Sequence, residues 1–214
     1  MHFHIITLFP KAFVSYLGES ILKRAIEDRK IKVSFYNPRD FVENKWKRVD
    51  RPPYGGGPGL VVEALPVIKS IEFVIKKCRI KPKIIWLSPS GKQFNNVYAG
   101  KIAKSHKDVI IICGRYEGID ARVKKVFKID DISVGPFILT GGELPAMIII
   151  DVMSRQVKGV LGSFDSIEER RISSNEVYTR PEVFKHKGRS YRVPKILLSG
   201  HKAKIEEWKK SKRG

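Results

Sequence analysis

The sequence predicts an α/β fold built on a parallel sheet, and three observations lead there. Apolar, strand-like segments alternate with amphipathic, helix-like segments along most of the chain. Three of the apolar segments run directly into glycine-containing loops: Leu87-Ser88-Pro89-Ser90-Gly91-Lys92, Cys113-Gly114-Arg115-Tyr116-Glu117-Gly118, and the stretch from Ser133 through Gly141 and Gly142 to Glu143. With 214 residues, 42% of them hydrophobic, the chain can bury one sheet domain and carry a small appendage.

Taken in order, Phe3 to Phe9 alternates as a strand. Glu19 to Lys30 sets Ile21, Leu22, Ala25 and Ile26 on one helical face, and Lys32 to Tyr36 returns to strand. Asn37 to Gly59 breaks the pattern as a long basic loop ending in Pro52-Pro53-Tyr54-Gly55-Gly56-Gly57-Pro58-Gly59, too rich in glycine and proline for regular structure. Ala64 to Lys77 is predicted helix, Lys83 to Leu87 strand, Phe94 to Ser105 helix, Val109 to Cys113 strand, Ile119 to Phe127 helix and Lys128 to Val134 strand. Glu143 to Val157 is a helix whose apolar residues nearly surround it, which suits a core or a dimer interface. Lys158 to Val177 has no period, and Lys202 to Lys212 reads as a closing helix. The expected organisation is a main domain over 1–160, a flexible linker over 161–177, and a small basic C-terminal domain over 178–214.

Charge narrows the partners. Lys and Arg number 42 against 22 Asp and Glu, a net charge of +20. Residues 181–214 carry eleven Lys or Arg against three Glu, a net +8. Such a balance favours a polyanion, above all nucleic acid. The run Lys45-Trp46-Lys47-Arg48 mixes charge with an aromatic ring, which suits phosphate contact and base stacking and equally a solvated loop. Cys78 and Cys113 form neither a disulfide framework nor a Cys-x-x-Cys pair, so a reducing cytoplasm is expected. The first ten residues lack the pattern of a signal peptide, and the longest apolar stretch, Leu144 to Ile150, falls far short of the ~20 residues a membrane helix needs. A soluble protein with no membrane partner is expected.

The three glycine loops point to a ligand. In α/β sheets the carboxyl ends of the strands form the binding crevice, and glycine there lets backbone groups approach a flat ligand closely. No Gly-x-Gly-x-x-Gly fingerprint and no Gly-Lys-Ser/Thr phosphate loop can be written on this chain, which argues against a dinucleotide oxidoreductase and an NTPase. His2 and His4 share one face of the first strand and could be ligands. With no Cys, Asp or Glu near them in sequence, a structural role is expected, and no metal site is assigned.

Six motifs occur together: Arg51-Pro52-Pro53-Tyr54-Gly55-Gly56-Gly57-Pro58-Gly59, Leu87 to Lys92, Gly114-Arg115-Tyr116-Glu117-Gly118-Ile119-Asp120, Gly141-Gly142-Glu143-Leu144-Pro145-Ala146, Gly159-Val160-Leu161-Gly162 and Tyr178-Thr179-Arg180-Pro181-Glu182. In this order and at these separations the chain resembles the bacterial tRNA (guanine-N1)-methyltransferases of the SPOUT superfamily. The resemblance implies a trefoil-knotted, parallel-sheet α/β domain that holds S-adenosylmethionine, followed by a small, shortened helical C-terminal domain. It implies a cofactor pocket around Leu87, Ser88, Pro89 and Gly91, around Tyr116, Glu117 and Gly118, and along Ile132, Ser133, Val134, Gly135, Leu139, Gly141 and Gly142. Glu117 would face the cofactor's amino group or the Mg2+ on which the family's transfer depends. The implied reaction methylates guanine N1 at the position immediately 3′ of the anticodon, with tRNA rather than DNA as partner and a homodimer as the acting form. Guanine N1 carries a proton, so a base must remove it while a cation meets charge growing on the purine oxygen. By resemblance Asp165 is the base and Arg155 the cation, Glu168 and Glu169 being rival bases. Asp50, Tyr54 and Arg180 fall on the substrate-contacting motifs. The alternative from another class is a non-catalytic RNA-binding protein of the same fold.

Overall fold

The computed structural model describes residues 1–162 and 175–212, which fall into two compact units, Met1–Leu161 and Gly162–Gly214. The first unit is a five-stranded, wholly parallel sheet. Its strands are β1 (His2–Ile6), β2 (Lys32–Tyr36), β5 (Lys83–Gln93), β6 (Asp108–Ile112) and β7 (Asp130–Ser133), in the order β2-β1-β6-β5-β7. A separate short ribbon joins β3 (Asp50–Arg51) antiparallel to β4 (Val61–Val62).

The two-residue period of the strands explains why both faces are buried. Ile85, Leu87, Val109 and Ile111 point to one face with Phe3 and Ile5, where they meet α1 (Val14–Leu17), α2 (Ser20–Glu27), α4 (Asn96–Ser105) and α6 (Glu143–Ser154). Ile84, Trp86, Ile110 and Ile112 point to the other with Ile6, under α3 (Ala64–Lys77) and α5 (Val123–Val126). Helices on both faces of a parallel sheet are the arrangement the alternating sequence implied.

Three boundaries depart from the sequence expectation, each for a local reason. The strand expected to stop at Leu87 runs on to Gln93, because both Leu87 and Lys92 pair with Ile132 and the four residues between them bulge out of the ladder. The helix expected over Ile119 to Phe127 shrinks to Val123–Val126. Residues 117–120 instead bond to the β4 segment (Glu117 N to Leu60 O, 3.0 Å; Val62 N to Gly118 O, 3.0 Å; Asp120 N to Val62 O, 2.9 Å), and the Asp120 carboxylate accepts Arg122 N at 2.9 Å. The basic loop is not structureless. Pro38–Phe41 forms a 3₁₀ turn capped by Asn37 Oδ1, and Asp50–Arg51 pairs with β4.

The second unit adds a hairpin to the expected helix: β8 (Val183–His186) and β9 (Arg189–Arg192) pair antiparallel, followed by α7 (Lys195–Leu198) and α8 (Lys202–Ser211). The two turn residues, Lys187 (φ 48°) and Gly188 (φ 75°), both lie in the left-handed region that a tight two-residue hairpin demands. Tyr178 packs its ring 6.2 Å from that of Trp208, and Glu176 pairs with Lys212 at 3.1 Å, tying residues 176–178 to α8. Among the described residues, no helix is long and apolar enough to cross a membrane.

Candidate functional site

The carboxyl ends of β5, β6 and β7 and the amino end of α6 enclose a cavity of about 290 Å³. That lies at the lower end of the ~300–1,000 Å³ typical of small-molecule sites. Leu87, Ser88 and Pro89 form one wall, Tyr116, Glu117 and Gly118 a second, and Ile132, Ser133, Val134, Gly135, Leu139, Gly141 and Gly142 a third, with Gly114, Arg115, Phe137, Ile138, Thr140 and Pro145 completing the lining. Of the positions singled out for a cofactor, only Gly91 lies off this wall. A Cβ there would come within 2.5 Å of Ile132 N, so its missing side chain serves the close crossing of β5 over β7.

The wall is held by short local bonds. Ser133 Oγ donates to Gly135 O at 2.9 Å and accepts Gly135 N at 3.2 Å, closing the turn after β7. Tyr116 sits at φ 58°, a conformation costing about 1–3 kcal/mol for such a residue, which the bonds on either side of it sustain. Gly142 N donates to Gly114 O at 2.9 Å and pins the start of α6 to the end of β6. A Cβ on Gly142 would stand 2.6 Å from Cys113 Cα. Only glycine permits that approach.

Sequence reasoning missed Arg115. Its Nε lies 2.8 Å from Glu143 Oε2, its Nη1 donates to Thr140 O at 3.3 Å, and its guanidinium rests 4.6 Å over the Phe9 ring. Glu143 is only 3% exposed and opens α6, where the helix dipole favours a carboxylate; Thr7 Oγ1 donates to its other oxygen at 2.7 Å. The signal was an acidic residue opening a helix whose next seven residues, Leu144 to Ile150, are all apolar. Arg115 thus brings a fixed cation to a cavity whose free carboxylate is Glu117. Burial, reinforced by Glu143, pushes the Cys113 thiol well above its ordinary range, so it stays protonated and inert.

The proline- and glycine-rich loop borders the same wall. A Cβ on Gly59 (φ 81°) would meet Glu117 Cγ at 2.8 Å, so the loop's end lies against a cavity residue. Asp50 is buried in β3, whereas Tyr54 is fully exposed at the loop tip and Trp46 is 81% exposed with Lys45 Nζ 5.4 Å from its ring centre. Arg180 is exposed in the second unit, where Phe184 and Tyr191 stack at 5.1 Å on a hairpin carrying Lys185, Lys187, Arg189 and Arg192.

Arg155 lies elsewhere. It ends α6, and with Tyr16, Ile21, Asp151, Val160 and Leu161 it lines a second cavity of about 220 Å³. The Tyr16 hydroxyl donates to the Asp151 carboxylate, which raises the tyrosine's pKa. Ten residues of helix, roughly 15 Å at 1.5 Å per residue, separate Pro145 on the wall of the first cavity from Arg155 at the second. Asp165, Glu168 and Glu169 lie outside the described residues. His2 and His4 are not without partners. Asp108 Oδ1 is 3.1 Å from His4 Nε2 and 3.7 Å from His2 Nδ1, and Cys78 Sγ is 3.8 Å from His4 Nε2, brought there by β6 and by the end of α3.

Comparison with known proteins matches residues 1–214 to the family described as tRNA (Guanine-1)-methyltransferase TrmD. A tRNA (guanine-N(1)-)-methyltransferase of Clostridioides difficile (strain 630) is 45% identical over 215 residues, covering 98% of this chain and 91% of that one. Its counterpart in Caldanaerobacter subterraneus subsp. tengcongensis is 46% identical over 216 residues, covering 99% and 86%. The crystal structure of the tRNA (m1G37) methyltransferase from Aquifex aeolicus superposes with a TM-score of 0.79 at 37% identity, covering 98% of this chain and 87% of that one.

Proposed function

The chain belongs to the tRNA (guanine-1)-methyltransferase family, and from that premise we propose that it methylates N1 of the tRNA guanine immediately 3′ of the anticodon, position 37, as a homodimer in the cytoplasm. The observation that carries the reading is the cavity at the carboxyl ends of β5, β6 and β7, glycine-lined where backbone must approach a ligand. The family's methyl donor is S-adenosylmethionine, which supplies an electrophilic sulfonium methyl when bound. Leu87, Tyr116, Ile132 and Leu139 offer it apolar walls, the backbone of Ser133 to Gly135 and Gly141 to Gly142 offers polar edges, and Glu117 offers a carboxylate. Glu117 is also the group we assign to Mg2+, an ion commonly held through one or two carboxylates and water.

The chain's own residues do the proton and charge work. Asp165 removes the N1 proton, and Arg155 meets the charge developing on the purine oxygen. Since α6 separates Arg155 from its own chain's cavity by roughly 15 Å, a site using both draws them from two chains. Leu144, Val14 and Ile138, which are 52%, 68% and 86% exposed, supply apolar surface for that pairing. The C-terminal unit contributes tRNA affinity through the net +8 of residues 181–214 and the stacked Phe184 and Tyr191, with Asp50, Tyr54 and Arg180 as further substrate contacts.

Single-turnover transfer tests the assignment. Asp165→Asn keeps shape and removes basicity, so tRNA and cofactor binding should persist while the rate falls ~10²–10⁴-fold. If Glu168→Gln or Glu169→Gln abolishes transfer and Asp165→Asn does not, the base is misplaced. Loss of calorimetric S-adenosylmethionine binding in Gly141→Val is expected, and its full retention would remove the cavity from the reading.

A further inference from the structure

We propose that His2, His4, Asp108 and Cys78 form a binding site for one divalent transition-metal ion of the Zn2+ class, at the amino ends of β1 and β6 and therefore at the opposite end of the strands from the cofactor cavity. Among the described residues, His2, His4 and Asp108 are the one group of three such side chains whose donor atoms all lie within 4.8 Å of one another; Cys78, whose Sγ is 3.8 Å from His4 Nε2, falls outside that group and joins it as the fourth ligand when the ion binds. His2 and Asp108 are register partners on neighbouring strands, and His4 follows His2 on the same face.

The spacings suit a shared cation. With metal–nitrogen and metal–oxygen bonds of about 2.0–2.1 Å and a metal–sulfur bond of about 2.3 Å, neighbouring donors of a tetrahedral site stand roughly 3.3–3.6 Å apart. Here the His4 Nε2 to Asp108 Oδ1 separation is 3.1 Å, His2 Nδ1 to Asp108 Oδ1 is 3.7 Å, and Cys78 Sγ to His4 Nε2 is 3.8 Å. Each imidazole also commits its other nitrogen to a hydroxyl: His2 Nε2 to Ser34 Oγ at 2.8 Å, and His4 Nδ1 to Tyr36 Oη at 3.0 Å. Metal-bound histidines are oriented in this way, one nitrogen on the ion and the other held by a second group.

Donor chemistry and access select the ion. Two imidazoles, a carboxylate and a thiolate favour Zn2+ or Co2+ over the hard cations Mg2+ and Ca2+. Binding displaces the Cys78 thiol proton to solvent and leaves His4 protonated on Nδ1, facing Tyr36 Oη. Thiolate and Asp108 carboxylate together neutralise the ion's two charges, against the repulsion of Lys32, Lys77 and the Met1 ammonium. His4 is 2% exposed, while His2 at 23% and Asp108 at 19% leave a path from solvent.

The test uses the full chain, reduced and stripped of metal by a chelator, titrated with Co2+ and then with Zn2+. One equivalent of Co2+ should bind with a thiolate-to-cobalt charge-transfer band in the near ultraviolet, displaced by one equivalent of Zn2+. Cys78→Ser should lose that band, and His2→Gln, at the partly exposed ligand, should weaken Co2+ binding at least tenfold while circular dichroism stays native. Tyr36→Phe should weaken it about tenfold, the lower range for removing a group that orients a ligand. Zn2+ should raise the thermal midpoint of the native chain and leave that of His2→Gln unchanged. No band in the native chain, or equal Co2+ affinity in the native, His2→Gln and Cys78→Ser chains, overturns the proposal. None of these readouts involves methyl transfer.

Discussion

Replacing Gly142 by alanine adds one methyl group where the start of α6 touches the end of β6. That Cβ would lie 2.6 Å from Cys113 Cα and 2.9 Å from both Cys113 Cβ and Gly114 N. Ordinary carbon contacts lie at about 3.5–4.0 Å, so the helix start must withdraw by about 1 Å. The obstacle is backbone anchored in the sheet, with Cys113 N bonded to Ile6 O at 2.9 Å, so the helix is the part that yields. Withdrawal breaks the Gly142 N to Gly114 O bond, worth about 1 kcal/mol, and overpacking adds about 1–3 kcal/mol. A loss of about 2–4 kcal/mol is expected from urea unfolding. Because Gly114, Gly141 and Pro145 share the cavity wall, calorimetric affinity for S-adenosylmethionine should fall at least tenfold. Gly100→Ala is the control. Within α4 its Cβ would meet only Gln156 Oε1 at 3.7 Å, and the same chemical change should stabilise by up to about 1 kcal/mol. If Gly142→Ala matches the native chain in both stability and affinity, the claim that this contact shapes the cavity is wrong.

Arg115→Met leaves Glu143 buried with Thr7 as its side-chain partner and should destabilise by about 2 kcal/mol; adding Glu143→Gln should recover most of that in a double-mutant cycle of urea midpoints. At the mouth of β5, burial raises the Asp130 carboxyl, but bonds from Lys83 (2.6 Å) and the Tyr98 hydroxyl (2.9 Å) outweigh it and hold the group below 3.8. A depressed acid adds stability above its unfolded pKa and loses it as pH falls through the folded value. Lys83→Met should therefore cost about 0.5–1 kcal/mol at pH 7 for this partly exposed pair, with the difference from the native chain vanishing in strong acid. A mixed dimer of one Gly141→Val chain and one Arg155→Ala chain should regain transfer at one of its two sites, because one site inherits both lesions and the other neither. Transfer no better than that of either homodimeric variant would show that each site takes Arg155 and cavity from one chain.

Periodicity made the parallel sheet legible, since Ile84 to Leu87 and Val109 to Ile112 are apolar on both faces and need helices on both. The glycine loops pointed to the cavity because glycine is required where backbones meet, as at Gly142, while at Gly91, expected in the pocket by resemblance, the backbone that meets it is that of Asp131 and Ile132 in β7. Arg115 and Glu143 escaped notice because a pairing across 28 positions leaves no local pattern. The same holds for His2, His4, Cys78 and Asp108, which the parallel register of β1 and β6 and the end of α3 gather from three distant stretches. The helix over 119–127 failed because bonds to the β4 segment, invisible in propensity, competed for the backbone of residues 117–120.

The central claim is that this chain methylates N1 of a tRNA guanine from S-adenosylmethionine. Its most direct test incubates an unmodified tRNA transcript carrying guanine at position 37 with the purified protein and cofactor, then digests the RNA for nucleoside mass spectrometry. The account predicts 1-methylguanosine approaching one per tRNA, lost when position 37 is changed to adenine and greatly reduced with Asp165→Asn. Salt-sensitive tRNA binding with no methylated guanosine formed would contradict it and leave a basic RNA-binding protein of the same fold.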